Sequence, residues 1–294
     1  MDPFAYHFDL RPKPLGAGVD LDGRLAYLER ATADPSQTNP VTVVQLALGA
    51  LQLRDPAQLP LVAAAVEWLE RTADERGLLA YRFPMPHTFP LEAPWYSSLA
   101  QGEAGSLLVR AAQVLGRREL LDLADLVVEP LLGTEPPLVA LTAEGPVLQE
   151  YPTDPPAHVL NGWITSLFGL YDVAHAPRDA TALVRRASEA FDAGTATLAS
   201  RLQLYRTPFG WSRYDLYPHP LANTASPAYH RLHVAQLRAM HALAAYEPFV
   251  STADDWERSL RNPAALFLGV ARKVAFRVVR PRARRVTLRP STSP

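Results

Sequence analysis

The sequence predicts an all-α protein with an (α/α) toroid architecture, a ring of antiparallel helix hairpins with at most small β-hairpin insertions. About eight to ten segments have apolar residues at three- and four-residue spacing, whereas alternation typical of strands is scarce. The chain contains 28 Pro, about twice the usual share, which favours many short connections between helices. The sequence shows no fixed-period repeat of the kind that would require a solenoid. A plain helical bundle or a solenoid is the alternative architecture.

Helical periodicity begins at Leu21 and continues through most of the chain. After this first helix, the predicted helices are 41–53, 61–69, 97–115, 119–132, 159–172, 180–204, 229–245, a short one at 253–260, and an apolar segment at 264–277 that turns basic. Residues 139–142 and 210–216 are the best strand candidates, and both are typical of hairpin pieces. We therefore expect an irregular lead-in at 1–20, a toroid domain at 21–260 and a basic tail at 261–294.

The composition excludes several kinds of chemistry. Of the 294 residues, 48% are hydrophobic and 20% charged, as in a globular protein, and none is Cys, which rules out disulfides, thiolate metal sites and thiol nucleophiles. No run of 18 apolar residues and no signal-peptide pattern is present, so the expected location is cytoplasmic. Arg outnumbers Lys by 27 to 2, which suggests a GC-rich, bacterial genome.

The net charge of −1 conceals an asymmetry along the chain. Residues 261–294 hold eight Arg, one Lys and no acidic residue, a charge of +9, so residues 1–260 carry −10. The apolar and basic segment 264–289 suits an anionic surface at the inner face of a membrane, and a packed terminal helix with a solvated end is the alternative. No nucleic-acid partner is expected, because the tail has no aromatic interleaving beyond its two Phe.

The most informative segment is EYPTDPPAHVLNG at 150–162. It places the carboxyl group of Glu150 and the phenol of Tyr151 before a proline-rich turn, and Asn161 in the first turn of the following helix. A hydrophobic core seldom needs this order of residues, so the segment indicates a functional site. In the structural alternative, Tyr151 is a core aromatic with its hydroxyl bound to a carbonyl, and Asn161 caps the helix.

A second segment at 94–104 combines Trp95 and Gln101 with small residues at every second position. The small side chains predict the close approach of another helix, with Gln101 as a satisfied buried polar group. The alternative is that Trp95 or Gln101 lines a cleft.

The third segment contains a concentration of polar residues: Arg213, Tyr214, Asn223, Tyr229, His230, Arg231, His233 and Gln236. Tyr229, His233 and Gln236 fall on one face of an otherwise apolar helix. His230 and His233 have the spacing of a metal-ligand pair, but no acidic residue lies in register, so no metal is expected.

All three segments resemble the C-terminal domain of the D-glucuronyl C5-epimerase family. The family pattern EYPTxPxxxVLNGFxxSLxGLYD corresponds to EYPTDPPAHVLNGWITSLFGLYD at 150–172. The patterns WYSxMAQGQAxSxLVRA and YHxxHIxQL correspond to WYSSLAQGEAGSLLVRA at 95–111 and YHRLHVAQL at 229–237. The resemblance implies that the catalytic tyrosines are Tyr151, Tyr214 and Tyr229, with Glu150 assisting Tyr151.

The resemblance also implies an activity, the inversion of D-glucuronate to L-iduronate within a heparosan-type polysaccharide or another uronic-acid polymer. A lipid-linked glycan at the inner membrane is the substrate that would explain the basic tail. Inverting C5 requires one group to remove a proton, another to return a proton to the opposite face, and positive charge near the carboxylate. No redox cofactor is needed for this reaction, and none is expected. The alternatives are a polysaccharide lyase, which shares the first proton abstraction, and a non-catalytic glycan-binding relative. The sequence is also compatible with a homodimer.

Substrate contacts are expected from Trp95, Gln101, Asn161, Arg213, Asn223, His230, Arg231 and His233. Cations beside a phenol lower its pKa, which would suit Tyr214 next to Arg213 and Tyr229 next to His230 and Arg231. One position departs from the family, because the Arg that follows its Tyr-Asp-Leu is Tyr217 here. If that Arg neutralises the substrate carboxylate, then Arg213, Arg231 or a His must replace it. The larger family members also carry β-rich domains before the helical one, where this sequence has about 20 irregular residues.

Overall fold

The computed structural model describes residues 2–16, 18–85, 88–133 and 138–281, and most of these residues are helical. The helices are α1 (Pro12–Leu15), α2 (Leu21–Ala33), α3 (Pro40–Gln52), α4 (Leu59–Thr72), α5 (Ser98–Val114), α6 (Leu120–Val128), α7 (Leu160–Ala174), α8 (Ala182–Arg201), α9 (Pro227–Ala244), α10 (Glu247–Arg261) and α11 (Pro263–Val279). The strands β1 (Val139–Thr142) and β2 (Gly145–Leu148) form an antiparallel hairpin.

Consecutive helices pack in pairs, α3 with α4, α5 with α6, α7 with α8 and α9 with α10. The first members of these pairs are also neighbours, since α5 packs against both α3 and α7, and α7 packs against α9. The helices α3, α5, α7 and α9 thus form an inner layer, which the second members cover. This arrangement confirms the predicted all-α class with a small β-hairpin insertion.

Small residues allow α5 and α7 to touch backbone to backbone. A Cβ atom on Gly169 would lie 2.2 Å from the carbonyl oxygen of Gly102, and one on Gly102 would lie 2.7 Å from the Cα atom of Ser166. The Ser166 hydroxyl also donates to the Ser98 hydroxyl over 2.9 Å. This contact holds the N-terminal part of α5 against the middle of α7.

A buried ionic cluster joins α5, α7 and the N-terminal segment. Arg110 and Ser106 of α5 donate to Oδ2 of Asp172 on α7 over 2.6 and 2.7 Å, and His7 Nε2 lies 3.1 Å from Asp172 Oδ1. Burial alone would raise the pKa of Asp172, but Arg110 and His7 reverse this effect and hold it well below its usual range. Arg110 also donates to the carbonyl of Ala5, which ties the start of the chain to the helical domain.

The structure differs from the sequence-based expectation at two elements. The strand predicted at 210–216 is wrong, because these residues form only the isolated bridges Arg206–Ser212 and Arg213–Thr224. The helix α10 begins at Glu247 rather than at 253, since Pro248 fits the first turn of a helix and Phe249 is a buried core residue.

The N-terminal segment and the C-terminal helix both pack on the helical domain. Leu10 is buried in the main core, and on α11 Ala265, Gly269 and Phe276 face inward. Other α11 side chains, including Val278, are exposed. No helix in the described part of the chain combines the length and apolar character needed to cross a bilayer. Residues 282–289 of the predicted membrane contact lie outside the described residues.

Candidate active site

A cavity of about 460 Å³ lies between the inner helices and the N-terminal segment. Its wall contains residues of α1, α3, α5, α7 and α9 together with the turn that follows β2. Five of the predicted site residues line it: Trp95, Glu150, Tyr151, Asn161 and Tyr229. The inner layer therefore brings together residues that are up to 134 positions apart in the sequence.

Glu150 is buried against the first turn of α7. A Cβ atom on Gly162 would lie 2.4 Å from Glu150 Oε2, so the carboxyl group fits there only because residue 162 has no side chain. The Asn161 amide donates to the same oxygen over 3.3 Å. Burial raises the pKa of Glu150 to about 7, although hydrogen bonds from Tyr151 and Asn161 oppose the shift. The carboxyl group can therefore gain or lose a proton near neutral pH.

Three phenols adjoin this carboxyl group. The Tyr151 hydroxyl hydrogen-bonds to Glu150, and the Tyr214 hydroxyl hydrogen-bonds to Tyr151. The rings of Tyr214 and Tyr229 meet edge to face with their centroids 5.0 Å apart. Tyr151 and Tyr229 line the cavity, whereas Tyr214 lies behind them. Tyr214 thus contacts both other predicted tyrosines, and Tyr151 and Tyr229 line the same cavity.

The pKa of Tyr214 does not follow the expectation from its neighbour Arg213. Burial raises the pKa of Tyr214 well above its ordinary value, and the nearby Glu150 and Tyr151 raise it further. Burial and Glu150 have the same effect on the pKa of Tyr151. The prediction of a lowered pKa at Tyr214 is wrong, because desolvation of the phenol dominates over a sequence-adjacent cation.

An aromatic wall supports the ring of Tyr151. Tyr81 and Trp95 stack with their ring centroids 3.8 Å apart, and Trp95 and Phe89 lie 5.9 and 5.5 Å from Tyr151. The indole nitrogen of Trp95 donates to the carbonyl of Phe83. The wall thus limits the positions available to the Tyr151 hydroxyl. Sequence analysis missed Tyr81 and Phe89, since nothing in their local pattern distinguishes them from core aromatics.

Gln101 lies outside the cavity and has a structural environment. Its side-chain oxygen accepts from the Leu79 backbone N–H over 2.9 Å, and its amide nitrogen donates to the carbonyls of Gly77 and Val127 over 2.7 and 2.6 Å. Gln101 is thus the satisfied buried polar group that the pattern of small residues predicts.

The two histidines of α9 also lie away from the cavity. His230 is stacked on Trp211 at 3.9 Å, accepts from the Ser212 backbone N–H over 3.1 Å, and places Nε2 2.9 Å from the Ser259 hydroxyl of α10. His233 Nδ1 lies 2.9 Å from the Ser212 hydroxyl. Burial lowers the pKa of His230 to about 4 and that of His233 well below its ordinary value, so both are neutral near pH 7. Within the described residues, no group of three His, Asp or Glu side chains could hold a metal ion.

The predicted cations Arg213 and Arg231 do not reach the cavity either. Arg213 is half-buried with its backbone bonded to Tyr205, and Arg231 is exposed on α9. Among the described residues that line the cavity, the one Lys, Arg or His is Lys13 of α1. Sequence analysis missed Lys13, because it lies in a Pro- and Gly-rich stretch with no helical or strand-like period.

Asn223 lies behind Tyr214 and connects it to the C-terminal helix. The Lys273 amino group of α11 donates to Asn223 Oδ1 over 2.7 Å and lies 5.4 Å from the centroid of the Tyr214 ring. The Asn223 amide in turn donates to the buried carboxylate of Asp215. Asn223 therefore contacts protein groups in this structure. The sequence does not predict the contact of Lys273 with Asn223 and Tyr214, because it assigns residues 261–294 to a separate tail.

The fold and the cavity define an all-α domain with a buried cluster of one glutamate and three tyrosines beside its cavity. Residues 73–258 match the sequence model described as D-glucuronyl C5-epimerase C-terminus, and the chain belongs to this family. It is 31% identical over 210 residues to a D-glucuronyl C5-epimerase of Caenorhabditis elegans. That match covers 66% of this chain and 34% of the relative, so the chain spans about a third of the relative's length. The family predicted from the three motifs is confirmed.

Proposed function

We propose that this domain inverts C5 of uronic acid residues within a polysaccharide, converting D-glucuronate to L-iduronate. The observation that carries the proposal is the convergence of Glu150, Tyr151 and Tyr229 on one cavity, with Tyr214 hydrogen-bonded behind them. Membership of the epimerase family supports the reaction class. A heparosan-type polymer or a lipid-linked glycan is the proposed substrate class.

The first step breaks the C5–H bond. Tyr151 takes the proton from C5 while its own hydroxyl proton passes to the Glu150 carboxylate, and the C5 electron pair delocalises into the substrate carboxylate. A pKa of about 7 suits Glu150 to this exchange, because an acid–base group works best when its pKa lies near the operating pH. The Asn161 amide and the close contact with Gly162 hold the carboxyl group in place.

The second step returns a proton to the opposite face of C5. Tyr229 is 37% exposed at the cavity, so its hydroxyl group is accessible to a bound sugar. It donates its proton to C5 as the carbanion electron pair forms the new C–H bond. In the L-to-D direction the two phenols exchange roles. Tyr214 contacts both other tyrosines, which suits it to transfer protons between them and restore the starting state.

The C-terminal helix supports a further part of the proposal, peripheral contact with an anionic membrane. Phe267, Val274 and Val278 are exposed on α11, next to the basic residues Arg272 and Arg280. Exposed apolar and basic side chains on one helix favour the interface of an anionic bilayer. The enzyme would then act on a glycan held at the inner face of the membrane.

Incubation with a heparosan-type glucuronan in deuterated water tests the proposed reaction. We expect deuterium to appear at C5 of the uronic acid residues while the polymer keeps its length. An unsaturated, ultraviolet-absorbing end group would instead identify a polysaccharide lyase, which eliminates the C4 substituent after the same proton abstraction. Binding of the glycan together with exchange no faster than in a protein-free control would identify a non-catalytic glycan-binding protein.

Replacing Lys273 with Met is expected to slow deuterium exchange. The ammonium group near the Tyr214 ring favours the deprotonated phenol, so its removal raises the pKa of Tyr214 further and makes proton transfer from this phenol harder. We expect about tenfold slower exchange at pH 7, whereas the rise in rate that Glu150 produces should stay at the same pH, because Tyr214 remains protonated throughout this range.

The Lys273→Arg variant is the control, because it keeps the charge and should exchange within about threefold of the wild-type rate. An unchanged rate in Lys273→Met, with the fold intact by circular dichroism, would exclude an electrostatic role for this residue.

A further inference from the structure

We infer that Lys13 binds the carboxylate of the uronic acid residue in the cavity, an inference that rests on the proposed function. The predicted cations Arg213, Arg231, His230 and His233 do not line the cavity, and Lys13 does. Lys13 lies outside the segment that matches the epimerase family, which begins at residue 73. The N-terminal segment thus supplies a positively charged side chain at the cavity wall, whereas residues 73–258 supply none among the described lining residues.

The backbone around Lys13 is fixed by a buried guanidinium group. Arg24 of α2 is only 7% exposed and donates to three carbonyls, those of Lys13 over 2.9 Å, Gly16 over 2.6 Å and Val19 over 2.7 Å. Three charge-assisted hydrogen bonds from one rigid side chain leave this turn little freedom. The Lys13 side chain itself is exposed and extends from this fixed backbone at the cavity wall.

The residues that flank Lys13 attach it to α3. The Leu10 backbone N–H donates to Gln52 Oε1 over 2.7 Å, and the Gln52 amide donates to the carbonyl of Phe8 over 3.0 Å. Pro14 is buried against Gly49, where a Cβ atom would lie 2.6 Å from the Pro14 ring. The segment thus packs on an inner helix that itself lines the cavity, which keeps Lys13 on the side of the bound sugar.

The charges around the cavity favour a carboxylate at Lys13. Asp9 also lines the cavity, but Arg11 binds both of its carboxylate oxygens over 2.9 and 3.0 Å and compensates its charge. Deeper in the wall, burial raises the pKa of Glu103 to about 8, whereas Lys13 acts to lower it. Gln45 lines the cavity and donates to Glu103 over 2.9 Å, so the charge of Lys13 acts on a buried carboxyl group directly behind the cavity wall.

A cation at this place acts on the reaction as well as on binding. The substrate carboxylate carries one negative charge, and loss of the C5 proton adds a second that is shared with the carboxylate. An ammonium group beside it stabilises the doubly charged intermediate more than the substrate. Removing Lys13 should therefore slow deuterium exchange more than it weakens glycan binding.

A comparison of two glycans tests the inference by titration calorimetry. One is a glucuronan oligosaccharide, and the other is the same oligosaccharide with its carboxyl groups reduced to alcohols. We expect Lys13→Met to weaken binding of the uronate form about 10- to 100-fold and to leave binding of the reduced form unchanged. Lys13→Arg should stay within about threefold of the wild type, since it retains the charge.

The matched control is Arg30→Met, which removes one exposed positive charge from α2 outside the cavity and should change neither affinity. Wild-type affinity of Lys13→Met for the uronate form, or an equal loss for both glycans, would overturn the inference. A wild-type protein that binds the uronate form without exchanging deuterium would overturn the proposed reaction alone, because the binding comparison still tests Lys13.

Discussion

The Tyr151→Phe variant is expected to exchange deuterium at C5 about 10²- to 10⁴-fold more slowly than the wild type. The substitution removes only the hydroxyl group that hydrogen-bonds to Glu150 and that, in the proposed mechanism, takes the proton from C5. The ring still packs against Trp95 and Phe89, so the fold should remain intact. Exchange at C5, followed by mass spectrometry after depolymerisation, measures the effect.

Three further variants make this test specific. Tyr27→Phe removes a half-buried phenol that does not line the cavity, and its exchange rate should match that of the wild type. Tyr229→Phe should form iduronate as slowly as Tyr151→Phe, because inversion requires proton delivery to the opposite face of C5. Glu150→Gln should lose the rise in rate around pH 7 that ionisation of the carboxyl group produces. A Tyr151→Phe variant with more than about a tenth of the wild-type rate would contradict its role as the acid–base group.

The Asp172→Ala variant is expected to lose about 3–5 kcal/mol of the free energy of unfolding, measured by urea denaturation at pH 7. Asp172 is the carboxylate that compensates the buried Arg110, and its removal leaves the guanidinium charge without a counter-ion. The loss is large because the cluster lies in the interior, where water cannot replace the missing partner. The N-terminal segment should also loosen, since His7 and Arg110 attach it to the core.

The pH dependence gives this prediction a second readout. The folded-state pKa of Asp172 lies well below its unfolded value, so its ionised form contributes stability above about pH 4 that is lost as the pH falls further. The difference between wild type and variant should therefore shrink below about pH 4. Glu67→Ala is the control, because it breaks an exposed pair with Arg71 and should cost at most about 1 kcal/mol. A loss of less than about 1 kcal/mol in Asp172→Ala would contradict the account of the cluster.

Much of the fold follows from local sequence properties. The 3.6-residue period predicts the helices, and most of their ends lie within a few residues of the predicted positions. The strand prediction fails at 210–216, where Tyr214 donates its backbone N–H to the Asn223 carbonyl and accepts from the Leu160 N–H in place of a strand ladder. The helical period fails at the start of α10, because Pro248 interrupts the pattern although the first turn of a helix accepts proline.

The sequence predicts the residues at the centre of the candidate site but not the residues around them. Glu150, Tyr151 and Tyr229 line the cavity, since the local order of carboxyl, phenol, turn and helix places the first two beside the inner layer. The sequence predicts His230 and His233 as site residues, because polar side chains are conspicuous on an otherwise apolar helix. In the structure they contact Ser212 and Ser259, partners that no local pattern identifies.

The sequence by itself determined the helices, the epimerase-family motifs and the phenols that the proposed proton transfer requires, because these depend on residue type and short-range spacing. Only the tertiary structure decided which groups surround those phenols. It placed the chain's two lysines, Lys13 and Lys273, at the site from opposite ends of the sequence, and it buried Tyr151 and Tyr214 so that their pKa values rise. Electrostatics and burial depend on distances through space, which helix packing sets and sequence separation does not.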